Sequence, residues 1–192
     1  MEDDCVVRKA LSLDKSSMSS TKTYSKHAEE SEYEHHLQFY NAGINAPKIV
    51  SWDPDTETLT TELIPSTDII GTLRLELPHP ETSALAVKLV QEVERLHKLG
   101  YQHGDLNPTN VIISGDEVFL IDFEFSGEIG SASVTFEEEM MDLMKLVTML
   151  CSPYLLIVSR LMSLCEETSS SRLPFQLKEG VSYAEIIDAI LS

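Results

Sequence analysis

The chain has 192 residues, with 14 Lys and Arg against 32 Asp and Glu, a formal charge of −18. At about 150 residues per domain, that length suits one domain or two small lobes sharing a cleft; an apolar content of 42 % supplies a core and argues against global disorder. A chain this acidic has no basic stripe to release counterions from a phosphate backbone, so direct nucleic-acid binding is not expected, whereas a divalent cation between protein carboxylates and a nucleotide's phosphates is compatible with it.

Residues 5–10 read as a short strand, and the Ser-, Thr-, Lys- and Glu-rich stretch 11–31 as a mobile connection. From Glu32 to Tyr40 the spacing of Tyr33, Leu37 and Tyr40 predicts a helix, stopped at Asn41-Ala-Gly43. Lys48–Trp52 and Thr58–Leu63 flank the polar turn Asp53-Pro-Asp-Thr-Glu57 and predict a hairpin. Composition changes at Ile64-Pro-Ser-Thr67, which sets a boundary between a small N-terminal lobe, residues 1–65, and a larger C-terminal one, residues 66–192. Thr82–Leu99 is amphipathic, with Leu85, Ala86, Leu89, Val90, Val93 and Leu96 on one face. Val111–Ile113 and Val118–Ile121 predict two strands about the turn Ser114-Gly-Asp116. Thr135-Phe-Glu-Glu138 is a capping-box signature opening a helix whose buried stripe is Phe136, Met140, Leu143, Val147 and Leu150; residues 153–192 add two or three more helices.

Cys5, Cys151 and Cys165 have no metal-type spacing and read as free thiols. Met1-Glu-Asp-Asp4 lacks the basic start of a signal peptide, and the apolar stretch Leu146 to Val158 contains Pro153 and falls short of the ~20 residues a bilayer span needs. A cytoplasmic chain, with the nucleus as second option and no membrane association, is the resulting expectation.

The chemistry concentrates in His103-Gly-Asp-Leu-Asn-Pro-Thr-Asn110 and Phe119-Leu-Ile-Asp122-Phe-Glu124. Asn110 leads into one strand of the predicted hairpin and Asp122 ends the other, so ladder pairing brings their oxygens within reach of one Mg²⁺. Asp105 lies a few residues before Asn110, where it can orient or deprotonate an attacking hydroxyl. Phosphoryl transfer requires mainly such positioning and charge neutralisation.

These segments resemble the protein-kinase superfamily, whose catalytic loop reads H-R-D-L-x-x-x-N and whose metal motif reads D-F-G. The H-G-D-L form is similar to the small atypical kinases: RIO kinases, the kinase subunit of the KEOPS complex and aminoglycoside-phosphotransferase-like enzymes. The resemblance implies an α+β, two-lobe kinase-like fold with a reduced N-terminal β lobe and a helical C-terminal lobe. It implies ATP and Mg²⁺ as cofactors, with Asp105 and Asn110 catalytic and Asn110 and Asp122 holding the metal. His103 would hold the loop rather than react. Val6-Val-Arg-Lys9 resembles the strand whose Lys contacts the phosphates, making Lys9 that residue; Glu32 would be its helix partner, with Glu34 a close competitor. Thr61-Glu62-Leu-Ile64 resembles the adenine-binding hinge, so Glu62 is placed among the nucleotide-binding residues. Glu138-Glu-Met-Met-Asp142-Leu resembles a segment in which the Asp braces the catalytic loop, a role that would fall to Asp142. The rest of the runs Glu29–Glu34 and Glu137–Asp142 reads as solvated helix surface.

The sequence departs from the family in having no G-x-G-x-x-G loop, with only eight residues before Lys9. This implies an N-terminally shortened chain, a nucleotide held by an open, minimal lobe, or the loss of ATP binding; a partner protein completing the small lobe is a further option. Glu124 stands where the family has Gly, and there is no A-P-E motif and only a short stretch between Phe123 and Phe136. The expected activity is transfer of the ATP γ-phosphoryl group to a hydroxyl by an atypical protein serine/threonine kinase. The alternatives are a small-molecule phosphotransferase of the aminoglycoside or choline type and a pseudokinase-like binding module.

Overall fold

The computed structural model describes residues 6–10, 27–65, 67–69, 79–132, 134–167 and 175–192. Its first unit is a three-stranded antiparallel sheet in the order β1–β3–β2, formed by β1 (Val6–Ala10), β2 (Ile49–Asp53) and β3 (Thr58–Glu62). The central β3 pairs Leu59 with Lys9 on one side and with Trp52 on the other, and the β2 edge carries an irregularity between Ile49 and Ser51. The turn between β2 and β3 is held by Asp53, whose carboxylate accepts from the amides of Asp55 and Thr56, the Asx geometry its sequence favours. Helix α1 (His27–Asn41) crosses beside this sheet, with Tyr33 stacked on Trp52 at 5.1 Å. It starts five residues before the expected point, so part of the stretch read as a connection is helical; residues 11–26 lie outside the described residues.

The loop after α1 fastens this unit to the rest. Arg95 donates to Gly43 O, Glu92 accepts from Asn45 N, and Asn45 Nδ2 donates to Val118 O. Arg95 and Glu92 belong to α2 (His79–Lys98), while Val118 belongs to β7 (Glu117–Leu120), which forms a three-stranded sheet with β6 (Val111–Ser114) and β4 (Thr67–Asp68). The apolar face of α2 is the centre of the core: Ala86, Leu89, Val90, Val93 and Leu96 are fully buried. It packs against β7, against α3 (Phe136–Leu150) and against α5 (Tyr183–Leu191). The alternation of apolar residues at helical spacing is what seats it there.

The expected capping box forms, and the structure adds a second. Thr135 accepts from Glu138 N while Glu138 reaches back to Thr135 N, and Ser182 and Glu185 repeat the arrangement at α5. Between them α4 (Leu155–Ser163) is followed by a two-stranded ladder of β9 (Cys165–Glu167) and β10 (Phe175–Leu177). Among the described residues, the C-terminal stretch holds two helices, in keeping with the two or three expected, and a ladder that the sequence did not predict. Two further short strands, β5 (Tyr101–Gln102) and β8 (Gly127–Glu128), pair across the loops at one end of α2. Cys151 is buried and Cys165 half-buried, both free thiols. Among the described residues, no helix is long and apolar enough to cross a membrane. The architecture is α+β, small antiparallel sheets against a helical body.

Candidate active site

The β6–β7 hairpin sets the geometry. Val111 pairs with Leu120, and Ile121 N donates to Asn110 O at 3.1 Å, so Asp122 emerges one residue beyond the position opposite Asn110. Asp122 adopts a left-handed backbone, φ +67°, a conformation Asp tolerates better than most residues. The turn this creates drops Phe123 into the interior, fully buried, against His36, Phe39 and His103 at ring distances of 5.1–5.3 Å. His36 itself hydrogen-bonds Pro47 O at 2.6 Å, and His35 stacks on Phe39. Aromatic rings thus tie α1, the catalytic-type loop and the Asp122 segment into one body.

Asp105 and Asn110 are joined directly. Asn110 Nδ2 donates to the Asp105 backbone oxygen and to its Oδ2, both at 2.9 Å, and Asn107 Nδ2 donates to the same Oδ2 at 2.9 Å. With its amide nitrogen committed to Asp105, Asn110 has its side-chain oxygen as the atom that could ligate a cation. Gly104 precedes Asp105 with φ +81°, and a Cβ there would lie 2.0 Å from Phe125 O. Only glycine fits where these two segments cross. His103 is fully buried, its Nε2 against Ile121 O at 3.0 Å, so it links the loop to the hairpin strand. Burial pushes its pKa down; the Glu139 charge and the Ile121 carbonyl oppose that only in part.

Asp122 meets two further carboxylates. Ligand oxygens of Glu32, Asp122 and Glu124 all lie within 4.8 Å of one another. Glu32 is buried and Glu34, two residues on, is exposed. The acidic run of α1 is therefore divided: Glu32, the carboxylate the resemblance puts first, turns into the site, while Glu34, its competitor, faces solvent. In the sequence Glu124 stands out only as the residue in the place of the family's glycine, and its membership of the cluster carries no signal there beyond lying two residues from Asp122.

A cleft of about 200 Å³ opens beside this cluster. Val7, Leu59, Ile64, Ile112 and Ile121 give it apolar walls, and Glu32 and Asp122 stand at its polar end. Glu62 lines it too, but its carboxylate accepts from Lys48 N at 2.8 Å and its amide donates to Lys48 O at 2.9 Å, so its side chain holds the chain entering β2. Lys9 occupies the β1 position opposite Leu59, a cleft-lining residue; its side chain lies outside the described residues.

The loop is braced from below by a residue the sequence reading passed over. Glu139, on α3 and 1 % exposed, accepts from His103 N (2.8 Å), Gly104 N (2.7 Å) and His97 Nε2 (2.7 Å). Burial works to raise its pKa, but the His97 ring and the two amides together outweigh it and hold the carboxyl below its ordinary value. Asp142, expected in this role, instead pairs with Lys145 at 2.7 Å. Both lie on the same side of α3, but the donors of His97, His103 and Gly104 converge at Glu139, while Asp142, about one turn further along, is half-exposed.

The fold and this arrangement define a protein-kinase-like class: a small sheet with one helix, a cleft, and a hairpin carrying the Asp–Asn loop and the following Asp. The RIO-domain family matches over residues 6–142, and the chain belongs to that family. It is 32 % identical over 100 residues to a probable bifunctional tRNA threonylcarbamoyladenosine biosynthesis protein of Methanothermobacter thermautotrophicus, covering 50 % of this chain and 17 % of that protein. It is 32 % identical over 95 residues to the 3-deoxy-D-manno-octulosonic acid kinase of Vibrio parahaemolyticus, covering 46 % and 39 %. It is 28 % identical over 95 residues to the KEOPS complex subunit Bud32 of Pyrococcus abyssi, covering 48 % and 43 %. The chain spans less than half the length of each of these relatives.

Proposed function

We infer that the chain is an ATP-dependent phosphotransferase that delivers the γ-phosphoryl group to a hydroxyl. The observation that carries this reading is the double hydrogen bond from Asn110 to Asp105, one strand register away from an Asp122 set among carboxylates at the mouth of an apolar cleft. In this reading the adenine lies between Leu59, Ile64, Ile112 and Ile121, with the backbone of 62–64 along its polar edge. Lys9 takes the phosphates and Glu32 is its partner. The site's donors are oxygens only, a set that fits Mg²⁺. Asp122 and Asn110 would hold it, with Glu124 beside them, and when bound it neutralises phosphate charge.

The remaining work falls to the chain's own side chains. Asn107 and Asn110 both bond Asp105 Oδ2, which leaves Oδ1 to accept the proton of the attacking hydroxyl. The acceptor oxygen forms its bond to the γ-phosphorus as the bond to the β-phosphate oxygen breaks, and the hydroxyl proton moves to Asp105. A serine or threonine of a protein is the acceptor we favour, and the match to a KEOPS subunit supports a protein partner beside the small sheet. A small-molecule acceptor is the second reading. The stretch from Phe123 to Phe136 is short and tied down, with Ser126 Oγ on His103 O, Ile129 N on Gly100 O and β8 paired to β5, which leaves little platform for a peptide; the similarity to a sugar-acid kinase points the same way.

The test is calorimetric ATP binding with Mg²⁺ together with ADP release. Asp122→Ala is expected to weaken Mg-ATP binding by about tenfold or more, and Asp105→Ala to retain binding while losing about 10²–10⁴ in turnover. A wild-type chain that binds no Mg-ATP refutes the reading and leaves a binding module. Protein acceptors compared with hydroxyl-bearing small molecules then separate the two acceptor classes.

A further inference from the structure

The brace beneath the catalytic-type loop does not end at Glu139. His97 of α2 donates through Nε2 to Glu139 Oε1, and its Nδ1 meets the hydroxyl of Tyr183, the first residue of α5. His97 and Glu139 are both buried, and the His97 ring is flanked by Phe136 at 5.0 Å and by Tyr183 at 5.9 Å. Because a carboxylate can only accept, Nε2 must carry the hydrogen. Nδ1 is then the ring nitrogen left to meet the Tyr183 hydroxyl. That hydroxyl keeps its proton, since burial and the nearby Glu139 and Glu94 charges push its pKa upward. The contacts run unbroken from the Tyr183 hydroxyl to His97, from His97 Nε2–H to Glu139, and from Glu139 to the amides of His103 and Gly104 that it accepts.

Packing alone does not require this chain. Helix α5 is already seated by Ile186 and Ile190, both buried against the core, and a phenylalanine at 183 would satisfy the same apolar contacts. The hydroxyl adds direction: it holds the orientation of the His97 ring, which holds the carboxylate of Glu139, which aims two amides immediately before Asp105. The RIO-domain match ends at residue 142, before Tyr183, so this connection joins a segment beyond the matched region to the loop inside it.

We propose that the C-terminal helix positions the catalytic loop through Tyr183 and His97, which makes both of them positioning residues for Asp105. The inference rests on the reading of Asp105 as the base, and its test has one readout that does not depend on that reading.

In the full chain, amide hydrogen exchange at His103 and Gly104 is followed alongside Mg-ATP turnover with water as the acceptor. Tyr183→Phe is expected to speed exchange of those two amides by about tenfold, with the exchange of the α2 and α3 interior unchanged. It should lower kcat by about three- to tenfold while the KM for ATP stays within about twofold. His97→Gln, which keeps a donor for Glu139 and an acceptor for Tyr183, should lie closer to wild type in both readouts than His97→Leu. The proposal is overturned if Tyr183→Phe leaves exchange at His103 and Gly104 unchanged, or if exchange rises evenly across the molecule. It is also overturned if exchange rises at the loop while kcat of an active wild type does not fall. A wild type with no turnover refutes the functional reading alone, and the exchange data still decide whether the helix holds the loop.

Discussion

Replacing Glu139 by alanine removes the acceptor shared by three buried donors: the amides of His103 and Gly104 and the Nε2 of His97, all at 2.7–2.8 Å. Each buried donor left without a partner costs about 1–3 kcal/mol. Part of that is recovered, because the native carboxylate no longer has to be desolvated, and loss of one member of a buried charged pair typically totals about 3–5 kcal/mol. For a chain of this size, about 2–4 °C per kcal/mol converts this to a fall in Tm of roughly 6–20 °C. Glu139→Gln should cost less than Ala, because its amide oxygen can still accept, but it sets an NH₂ against one of the donors. Asp142→Ala is the control, since its exposed pair with Lys145 is worth no more than about 0.5 kcal/mol. Urea denaturation followed by circular dichroism at neutral pH measures all three. A loss below about 1 kcal/mol for Glu139→Ala, or an Asp142→Ala loss that exceeds it, would refute the assignment of the brace to Glu139.

Three further outcomes follow from the same geometry. Gly104→Ala meets Phe125 O at 2.0 Å and must hold a left-handed φ, so it is expected to lose at least about 2 kcal/mol in the same denaturation assay; a variant as stable as wild type would contradict the close crossing of the two segments. His103 is neutral in the native state because burial lowers its pKa, so the stability it contributes is complete above its ordinary value of 6.5 and is lost as pH falls through the folded value. Between pH 6.5 and 5 the wild type should therefore lose up to about 1.4 kcal/mol per pH unit relative to His103→Gln, and parallel stability profiles would count against it. Finally, Glu32→Gln should weaken Mg-ATP binding by about tenfold, while Glu34→Gln, at an exposed position, should leave it unchanged; the reverse order in calorimetry would exchange their roles.

Much of the framework is written in short-range pattern. The α2 stripe, the capping box at Thr135, the β6–β7 turn and the spacing of Asp105, Asn110 and Asp122 each depend on residues a few positions apart, and backbone geometry converts such spacings directly into a helix face, a cap or a strand register. The family resemblance was legible for the same reason, because its motif lies on one loop and one hairpin. Which acidic residues leave the solvent was decided only in three dimensions. Charge pattern alone does not separate Glu32 from Glu34, which the resemblance ranks first and second, or Glu139 from Asp142, where the resemblance points to Asp142. Glu139 is buried because His97, His103 and Gly104, from α2 and the loop after it, converge on it, and Glu124 joins Asp122 and Glu32 where α1, held by His36 and Phe39 against Phe123, lies beside the segment after β7. A carboxylate can be buried only where distant donors or charges meet it. Sequence alone thus determined that this chain carries a kinase-like loop and hairpin, and the tertiary structure decided which of its many carboxylates serve that loop and which only face water.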